Sequence, residues 1–358
     1  MDLSFKFTNI TAEWKKHRLE FKQASGTSRG VLKYKDSYFI LIKEKDGPIG
    51  IGECGLLKGL SADDRPDYET KLTEVCSKIN EYEFWLDSGL KEFPSIHFGL
   101  EMALLDLTKE GSKILFPSPF TENKKELDIN GLIWMGNMGF MFEQIDEKIN
   151  KGFNCIKMKI GAIDFKQEFD LLRNIRAKYT KEEMIIRVDA NGGFKYCHAP
   201  YILEQLAKLD IHSIEQPIKT KQWKEMADLC KTSPIPIALD EELIGVFDRE
   251  KKEQLLDLLQ PPYVIFKPSF IGGFKGTTEW INLCKERNID WWMTSALESN
   301  IGLNAIAQWT ATLDNPLHQG LGTGQLYTNN IPSPLYVEKG KIGYKPDDKW
   351  DLSLVINP

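Results

Sequence analysis

The feature that most constrains the fold of this chain is a repeat of short apolar runs in its second and third thirds. Eight runs occur: LDINGLIWM (127–135), NCIKMKI (154–160), EMIIRVDA (183–190), IHSIEQP (211–217), PIALDEE (236–242), YVIFKPS (263–269), IDWWMTS (289–295) and HQGLGTG (318–324). Between the runs lie stretches whose apolar residues have helical spacing. This alternation of strand and helix, with a period of about 25 to 30 residues, predicts an α/β fold of the (β/α)8 TIM-type barrel. An open doubly wound sheet shares the alternation, but the count of eight and the absence of G-x-G-x-x-G favour the barrel.

The residues before the repeat have a different pattern. SYFILIKE (37–44) is apolar between turn residues, as strands are, whereas IHFGLEMALLDL (96–107) places its apolar residues on one helical stripe. We therefore expect an α+β unit over residues 1–125 and the barrel over 126–331. The short polar segments of about 332–358 are expected to return to the first unit.

Composition and charge exclude several classes of protein. The net charge of −6 gives no reason to expect nucleic-acid or membrane binding. No run approaches the roughly 20 apolar residues of a membrane helix, and MDLSFKFTNI lacks the apolar stretch of a secretory signal. Six cysteines without a C-x-x-C pair, and histidines without zinc spacing, predict a reduced, cytoplasmic protein that is neither a zinc nor a thiol enzyme.

Charged residues end five consecutive runs of the repeat. They are Lys157 and Lys159, Asp189, Glu215, Asp240 and Lys267, and the steps from Lys159 onward are 30, 26, 25 and 27 residues. Because the carboxyl ends of barrel strands meet at one mouth, these side chains are expected to converge there.

The three carboxylates of this set predict a metal site. Carboxylates that converge repel one another unless a cation lies among them, and oxygen-only ligands suit Mg²⁺, for which Mn²⁺ is expected to substitute. The alternative is that the acids form structural ion pairs with neighbouring lysines.

The lysines predict a proton-transfer role. Lys157 and Lys159 are two apart on a strand and so face the same side, while Lys267 approaches from across the barrel. A lysine has a pKa of roughly 10.4, which a neighbouring ammonium or metal ion lowers toward that of a usable base. Taken alone, K-x-K also fits a solvated strand edge.

Five motifs resemble those of the enolase superfamily, in its muconate-lactonizing branch. They are Lys157-Met158-Lys159, Val188-Asp189-Ala190-Asn191, Ile214-Glu215-Gln216-Pro217, Leu239-Asp240-Glu241 and Phe266-Lys267-Pro268. Within the branch, segments 26–40, 94–107, 294–309 and 319–331 are most similar to o-succinylbenzoate synthases of the Bacteroidetes type. The resemblance implies that the α+β unit and the tail form a capping domain over the barrel mouth, and it leaves a homo-oligomer possible.

The resemblance also implies an activity and residue roles. The activity is Mg²⁺-dependent dehydration of a small carboxylate, 2-succinyl-6-hydroxy-2,4-cyclohexadiene-1-carboxylate, a step toward menaquinone. Lys159 is then the base, Lys267 the cation that stabilises the enediolate, and Lys157 a residue that orients the substrate carboxylate. The metal ligands are then Asp189, Glu215 and Asp240. The residues that hold these ligands in place are Asn191 and Glu241.

Substrate contacts are predicted from two regions. The Gly- and Ser-rich stretch containing Thr27, Ser28 and Arg29 is a candidate lid, although a solvated hairpin loop fits it equally. The ends of the last two runs add Ser295, Glu298, Ser299 and Gly322; helix capping is the alternative for Ser299.

Two rival functions stay open. Two lysines on opposite faces of an α-carbon can also racemise it, as in an N-succinylamino acid racemase or a dipeptide epimerase. No acid occurs from Gln319 through Tyr327, which counts against dipeptide substrates. A non-catalytic barrel with a structural or binding role is the other rival.

Overall fold

The first unit is a three-stranded antiparallel sheet covered by helices. In the computed structural model, which describes residues 5–27, 30–161 and 164–356, the strands are β1 (Thr11–Thr27), β2 (Gly30–Lys43) and β3 (Ile49–Cys54). The helices are α1 (Tyr68–Ser77), α2 (Tyr82–Phe84) and α3 (Pro94–Thr108), with a 3-10 turn at Ile79–Glu81 and a π-turn at Trp85–Gly89.

Helix α3 lies between the sheet and the rest of the molecule. Pro94 occupies its first turn, where a missing N–H costs nothing, and nearly all its residues are buried. A side chain on Gly52 of β3 would place its Cβ 1.8 Å from the carbonyl oxygen of Gly99, so only glycine permits this close approach. The helix is buried on nearly every side because it packs on both units, and its buried residues include the carboxylates Glu101 and Asp106.

The barrel alternates parallel strands with helices, as the repeat predicts. The short strand β4 (Leu127–Asp128) precedes the barrel strands and belongs to another sheet. The barrel elements are β5 (Gly131–Ile133), α4 (Met138–Asn150), β6 (Cys155–Lys159), α5 (Phe165–Lys178), β7 (Ile185–Asp189), α6 (Ala199–Ala207), β8 (Ser213–Glu215), α7 (Trp223–Thr232), β9 (Ile237–Leu239), α8 (Arg249–Leu259), β10 (Tyr263–Phe266), α9 (Pro268–Ile271), α10 (Gly273–Glu286), β11 (Asp290–Met293) and α11 (Asn300–Ala311). A short 3-10 turn at Glu241–Leu243 lies between β9 and α8, and another at Gly322–Gln325 lies after α11. No helix in the described ranges is long and apolar enough to cross a membrane.

Seven strands form one curled parallel sheet in the order β11-β10-β9-β8-β7-β6-β5. The eighth run closes it with single bridges: Gln319 pairs with Ile129, and Gly320 pairs with Thr294, both in parallel. The Asn130 N–H donates to the Gln319 carbonyl at 3.0 Å, and the Gly320 N–H donates to the Met293 carbonyl at 2.7 Å. The eighth run therefore closes the barrel without forming a regular strand.

The C-terminal tail pairs with the start of the barrel. Strands β12 (Leu335–Glu338) and β13 (Lys341–Tyr344) form an antiparallel sheet with β4, and α12 (Ser353–Ile356) follows. Just before them, the Thr328 N–H donates to the Glu20 carbonyl of β1 at 2.9 Å. The last part of the chain thus touches both units, and the boundaries at 125 and 332 stay a prediction.

A buried carboxylate joins the first unit to the barrel. Glu53 of β3 accepts hydrogen bonds from the Ser37 hydroxyl at 2.7 Å, from both the N–H and the hydroxyl of Ser299 at 2.8 and 2.5 Å, and from the Gly302 N–H at 2.9 Å. The buried ammonium of Lys35 lies 3.8 Å away. Glu53 therefore fixes the sheet against the N-terminus of α11, whose free N–H groups favour a negative charge.

Replacing Glu53 with alanine is expected to destabilise the fold strongly. The substitution removes the ion-pair partner of the buried Lys35, and breaking a buried ion pair in this way costs roughly 3–5 kcal/mol of unfolding free energy. Urea denaturation measures this against Glu13→Ala, an exposed residue of β1 for which a change within about 0.5 kcal/mol is expected. Equal midpoints for the two variants would contradict the role of Glu53.

Candidate active site

The strand register brings the predicted charged residues together at the barrel mouth. Lys159 of β6 lies beside Asp189 of β7, and Asp189 lies beside Glu215 of β8. Asp240 directly follows β9, and Lys267 directly follows β10. Each group thus stands at the carboxyl end of its strand.

The two lysines of β6 bind the carboxylates directly. Lys157 Nζ donates to Asp189 Oδ2 at 3.0 Å and to Glu215 Oε2 at 2.7 Å. Lys159 Nζ donates to Asp189 Oδ2 at 2.9 Å and to Asn191 Oδ1 at 2.6 Å. Burial alone would lower the pKa of Lys157, but the negative charges of Asp189, Glu215 and Asp240 outweigh it and raise that pKa.

Lys267 forms an ion pair with Asp240 on the far side of the mouth. Burial opposes ionisation of Asp240, but the charges of Lys267 and Lys157 and a hydrogen bond with Glu215 together outweigh burial and hold the pKa of this carboxyl below its ordinary value. Glu215 differs: burial and the charge of Asp189 raise its pKa well above the usual range.

Residues next to the carboxylates hold them in place. The Asn191 N–H donates to Asp189 Oδ1 at 3.0 Å, and its side-chain amide donates to Glu241 Oε1 at 2.9 Å. Asn191 and Gln216 have φ values of 44° and 40°, a region that side-chain-bearing residues rarely adopt. Such strain is often stored at functional sites, where it re-aims the chain directly after a strand.

The donor chemistry of the mouth fits a divalent cation. Asp189, Glu215 and Asp240 offer only oxygen, and Glu215 Oε1 is buried without a hydrogen-bond partner in the described chain. Within the described ranges, however, no three His, Cys, Asp or Glu side chains are already grouped as a metal site. Lys157 binds Asp189 and Glu215, and Lys267 binds Asp240.

A cavity of about 470 Å³ lies above these groups, between the barrel mouth and the first unit. That volume suits a small-molecule ligand. Its floor includes Lys157, Lys159, Asp189, Asn191 and Lys267, and its walls include residues of β1, β2 and the loop after β3. The sequence interpretation missed Trp134, whose ring centroid is 5.9 Å from Lys159 Nζ, because an aromatic residue at a strand end carries no specific signal.

Comparison with known proteins identifies the family. The profile "Enolase C-terminal domain-like" matches residues 141–347. An o-succinylbenzoate synthase of Desulfotalea psychrophila is 45% identical over 94% of this chain and 99% of its own length. The chain belongs to the enolase superfamily.

Solved structures of superfamily members agree with this assignment. The crystal structure of MenC from Desulfotalea psychrophila LSv54 has a TM-score of 0.84 at 41% identity, covering 94% of this chain and 100% of that one. Muconate lactonizing enzyme from Pseudomonas fluorescens, at 19% identity, shares the fold, with a TM-score of 0.80 over 96% of this chain and 97% of its own. The expected barrel fold and the expected similarity to o-succinylbenzoate synthases are confirmed.

Some of the predicted substrate-contact residues line the cavity, whereas others lie elsewhere or outside the described residues. Ser295 and Gly322 line the cavity, and the Ser295 hydroxyl is 2.5 Å from that of Thr323. Thr27 lies at the end of β1, in a part whose side chains are not described, and Ser28 and Arg29 lie outside the described residues.

Glu298 and Ser299 are fully buried and are not among the residues that line the cavity, so their role as substrate contacts stays a prediction. Ser299 caps α11 by accepting from the Ile301 N–H at 3.2 Å, and it donates to Glu53. Glu298 accepts from the Ser269 hydroxyl at 2.5 Å, beneath the first unit. The turn after β11 directs both side chains away from the mouth.

The buried carboxyl of Glu298 is expected to make the free energy of unfolding depend on pH. Burial raises its pKa to about 7 from an ordinary 4.5, so between these values the folded protein keeps a proton that the unfolded chain has released. Stability therefore falls as pH rises through this window and is level above it. Glu298→Gln removes the ionisation, so the variant should match wild type at about pH 4.5 and exceed it at pH 8 by roughly 2–4 kcal/mol.

Urea denaturation at both pH values measures this difference. Glu13→Gln, at an exposed carboxylate, is the control that reports the general effect of removing one charge. The interpretation is wrong if Glu298→Gln changes stability by the same amount at the two pH values.

Proposed function

We propose that this chain is an o-succinylbenzoate synthase, which converts 2-succinyl-6-hydroxy-2,4-cyclohexadiene-1-carboxylate into o-succinylbenzoate and water. The observation that carries the proposal is the full-length similarity, at 45% identity, to the o-succinylbenzoate synthase of Desulfotalea psychrophila. The geometry supports it, because Lys159 and Lys267 face one cavity from strands on opposite sides of a carboxylate cluster.

Lys159 is the proposed base. It takes the proton from the ring carbon that carries the carboxylate, and the hydroxyl on the neighbouring carbon leaves with that proton as water. The electron pair of the broken C–H bond forms the double bond that completes the aromatic ring. The electron pair of the broken C–O bond leaves with the hydroxyl oxygen, which takes the proton from Lys159 and departs as water. A single lysine can serve both transfers because the two leaving groups are on adjacent atoms.

Lys267 and Lys157 are proposed to bind and orient the reacting carboxylate. Lys267 approaches from β10, opposite Lys159, so its positive charge can stabilise the electron density that develops as the proton leaves. Lys157 lies two residues before Lys159, on the same face of β6, and it donates hydrogen bonds to Asp189 and Glu215.

Magnesium is the proposed cofactor, with Mn²⁺ as a substitute. Asp189, Glu215 and Asp240 are the proposed ligands, and Asn191 and Glu241 hold them from behind. A bound divalent cation would neutralise charge on the substrate carboxylate during proton removal.

The test is turnover of the cyclohexadiene hydroxy acid with and without Mg²⁺, followed by loss of the diene absorbance. Metal-dependent turnover is expected. If the folded, metal-loaded protein shows none, the dehydratase proposal is wrong, and α-proton exchange of N-succinylamino acids in D₂O then tests the racemase. The intact set of lysines and carboxylates argues against a non-catalytic barrel.

A further inference from the structure

The chain segments that follow β7, β8 and β9 meet at one buried residue, Gln216. It directly follows Glu215, the proposed ligand at the end of β8. Its N–H donates to the Ala238 carbonyl of β9 at 3.0 Å, and its own carbonyl accepts from the Gly192 N–H at 2.6 Å. Gly192 belongs to the turn after β7, so the backbone of Gln216 joins three neighbouring strand ends.

The backbone conformation of Gln216 is one that a glutamine rarely adopts. Its φ of 40° lies in the left-handed region. Such a conformation costs free energy and persists only where the surrounding contacts determine it. The backbone contacts with β9 and with the turn after β7 provide part of this determination, and the side chain provides the rest.

The side-chain amide of Gln216 has hydrogen-bond partners for both its oxygen and its nitrogen. Its Oε1 accepts from the N–H groups of Asp240 and Glu242 at 3.4 and 3.3 Å. Its Nε2 donates to the Ile218 carbonyl at 3.1 Å and to Glu242 Oε2 at 3.0 Å. Rotating the amide by half a turn would place its NH₂ against two N–H donors, so only this orientation satisfies the site.

Glu242 is the second buried member of this network. It lies in the 3-10 turn that directly follows Asp240. Its Oε1 accepts from the Lys221 N–H and from the indole N–H of Trp223, both at 2.8 Å. One carboxylate therefore fixes the loop between β8 and α7 to the turn after β9.

We infer that Gln216 and Glu242 are positioning residues that set the separation of two proposed metal ligands. These ligands are Glu215, directly before Gln216, and Asp240, two residues before Glu242. The inference rests on the proposed function and deepens it. Neither positioning residue is among those that line the cavity, so each acts on the cation through the backbone of two adjacent strand ends.

The pair must consist of one amide and one carboxylate. Two carboxylates at these positions would repel each other, and two amides would place one NH₂ group against another. Gln216→Glu and Glu242→Gln should each weaken Mg²⁺ binding roughly 10–100-fold, the usual effect of changing a residue that supports a metal ligand.

The decisive variant combines both changes and so exchanges the two side chains. The amide at 242 then donates to the carboxylate at 216, and only the Ile218 carbonyl loses its donor. The double variant should bind Mg²⁺ roughly tenfold more tightly than either single variant, a rescue that a general loss of stability would not produce. Gln254→Glu, the same change at an exposed position of α8, should leave the affinity unchanged.

Calorimetric titration of the chelator-treated protein with Mg²⁺ measures these affinities, and circular dichroism shows whether each variant is folded. Trp223→Phe removes one donor to Glu242 and keeps an aromatic ring, so it should weaken binding roughly threefold and replaces any single variant that does not fold. Wild-type affinity in Gln216→Glu or Trp223→Phe, or a double variant that binds no more tightly than the single ones, overturns the inference. Absence of Mg²⁺ binding by wild type overturns the proposed metal site instead.

Discussion

Replacing Lys159 with alanine is expected to reduce kcat by about 10⁴-fold, the upper range for removal of a general acid–base group. The same lysine is proposed to take the α-proton and to deliver it to the leaving hydroxyl, so both transfers are lost together. Steady-state turnover of the cyclohexadiene hydroxy acid measures the loss.

Lys159→Arg is the matched variant, since arginine keeps the positive charge beside Asp189 but does not act as a base at neutral pH. Both variants should therefore be inactive, and the arginine variant should keep the thermal stability of wild type more closely. Substantial activity in Lys159→Arg would show that the lysine contributes charge alone, and the base would then be sought at Lys267.

Removal of the divalent cation is expected to have the second largest effect. Dialysis against a chelator should lower turnover by at least about 10³-fold, equivalent to several kcal/mol of transition-state stabilisation, and added Mg²⁺ or Mn²⁺ should restore it. Glu215→Gln should weaken metal binding to a similar degree, because it removes a carboxylate of the proposed ligand set, one that is buried and has an oxygen without a hydrogen-bond partner among the described residues.

Glu241→Gln provides the graded control for this experiment. Glu241 is proposed to act through Asn191 rather than on the metal itself, so a loss of only about 10–100-fold in metal affinity is expected. Calorimetric titration with Mg²⁺ separates metal affinity from turnover. Full activity in the chelated protein, or equal effects of the two substitutions, would contradict the proposed ligand set.

Much of the fold and the charged floor could be predicted from the sequence. The alternation of strands and helices can be predicted because it depends on the local pattern of apolar residues. The end of each strand is predicted from the point at which an apolar run stops. Since parallel strands end at one mouth, placing Lys159, Asp189 and Glu215 at consecutive strand ends was sufficient to predict that they meet. The register of β6, β7 and β8 confirms this.

Side-chain direction within turns could not be predicted in the same way. Glu298 and Ser299 follow a strand just as Ser295 does, yet they face the first unit, where Ser299 meets Glu53 across 246 positions of sequence. Such contacts depend on how the two units pack.

The sequence by itself determined the barrel, its order of charged strand ends and the family to which the chain belongs. Only the tertiary structure decided that the eighth run closes the barrel through single bridges, that the tail hairpin pairs with β4, and that the turn after β3 lines the cavity. The physical reason is distance along the chain: periodicity and strand ends are local properties, whereas a cavity wall made of β1, the turn after β3 and the barrel exists only after they pack together.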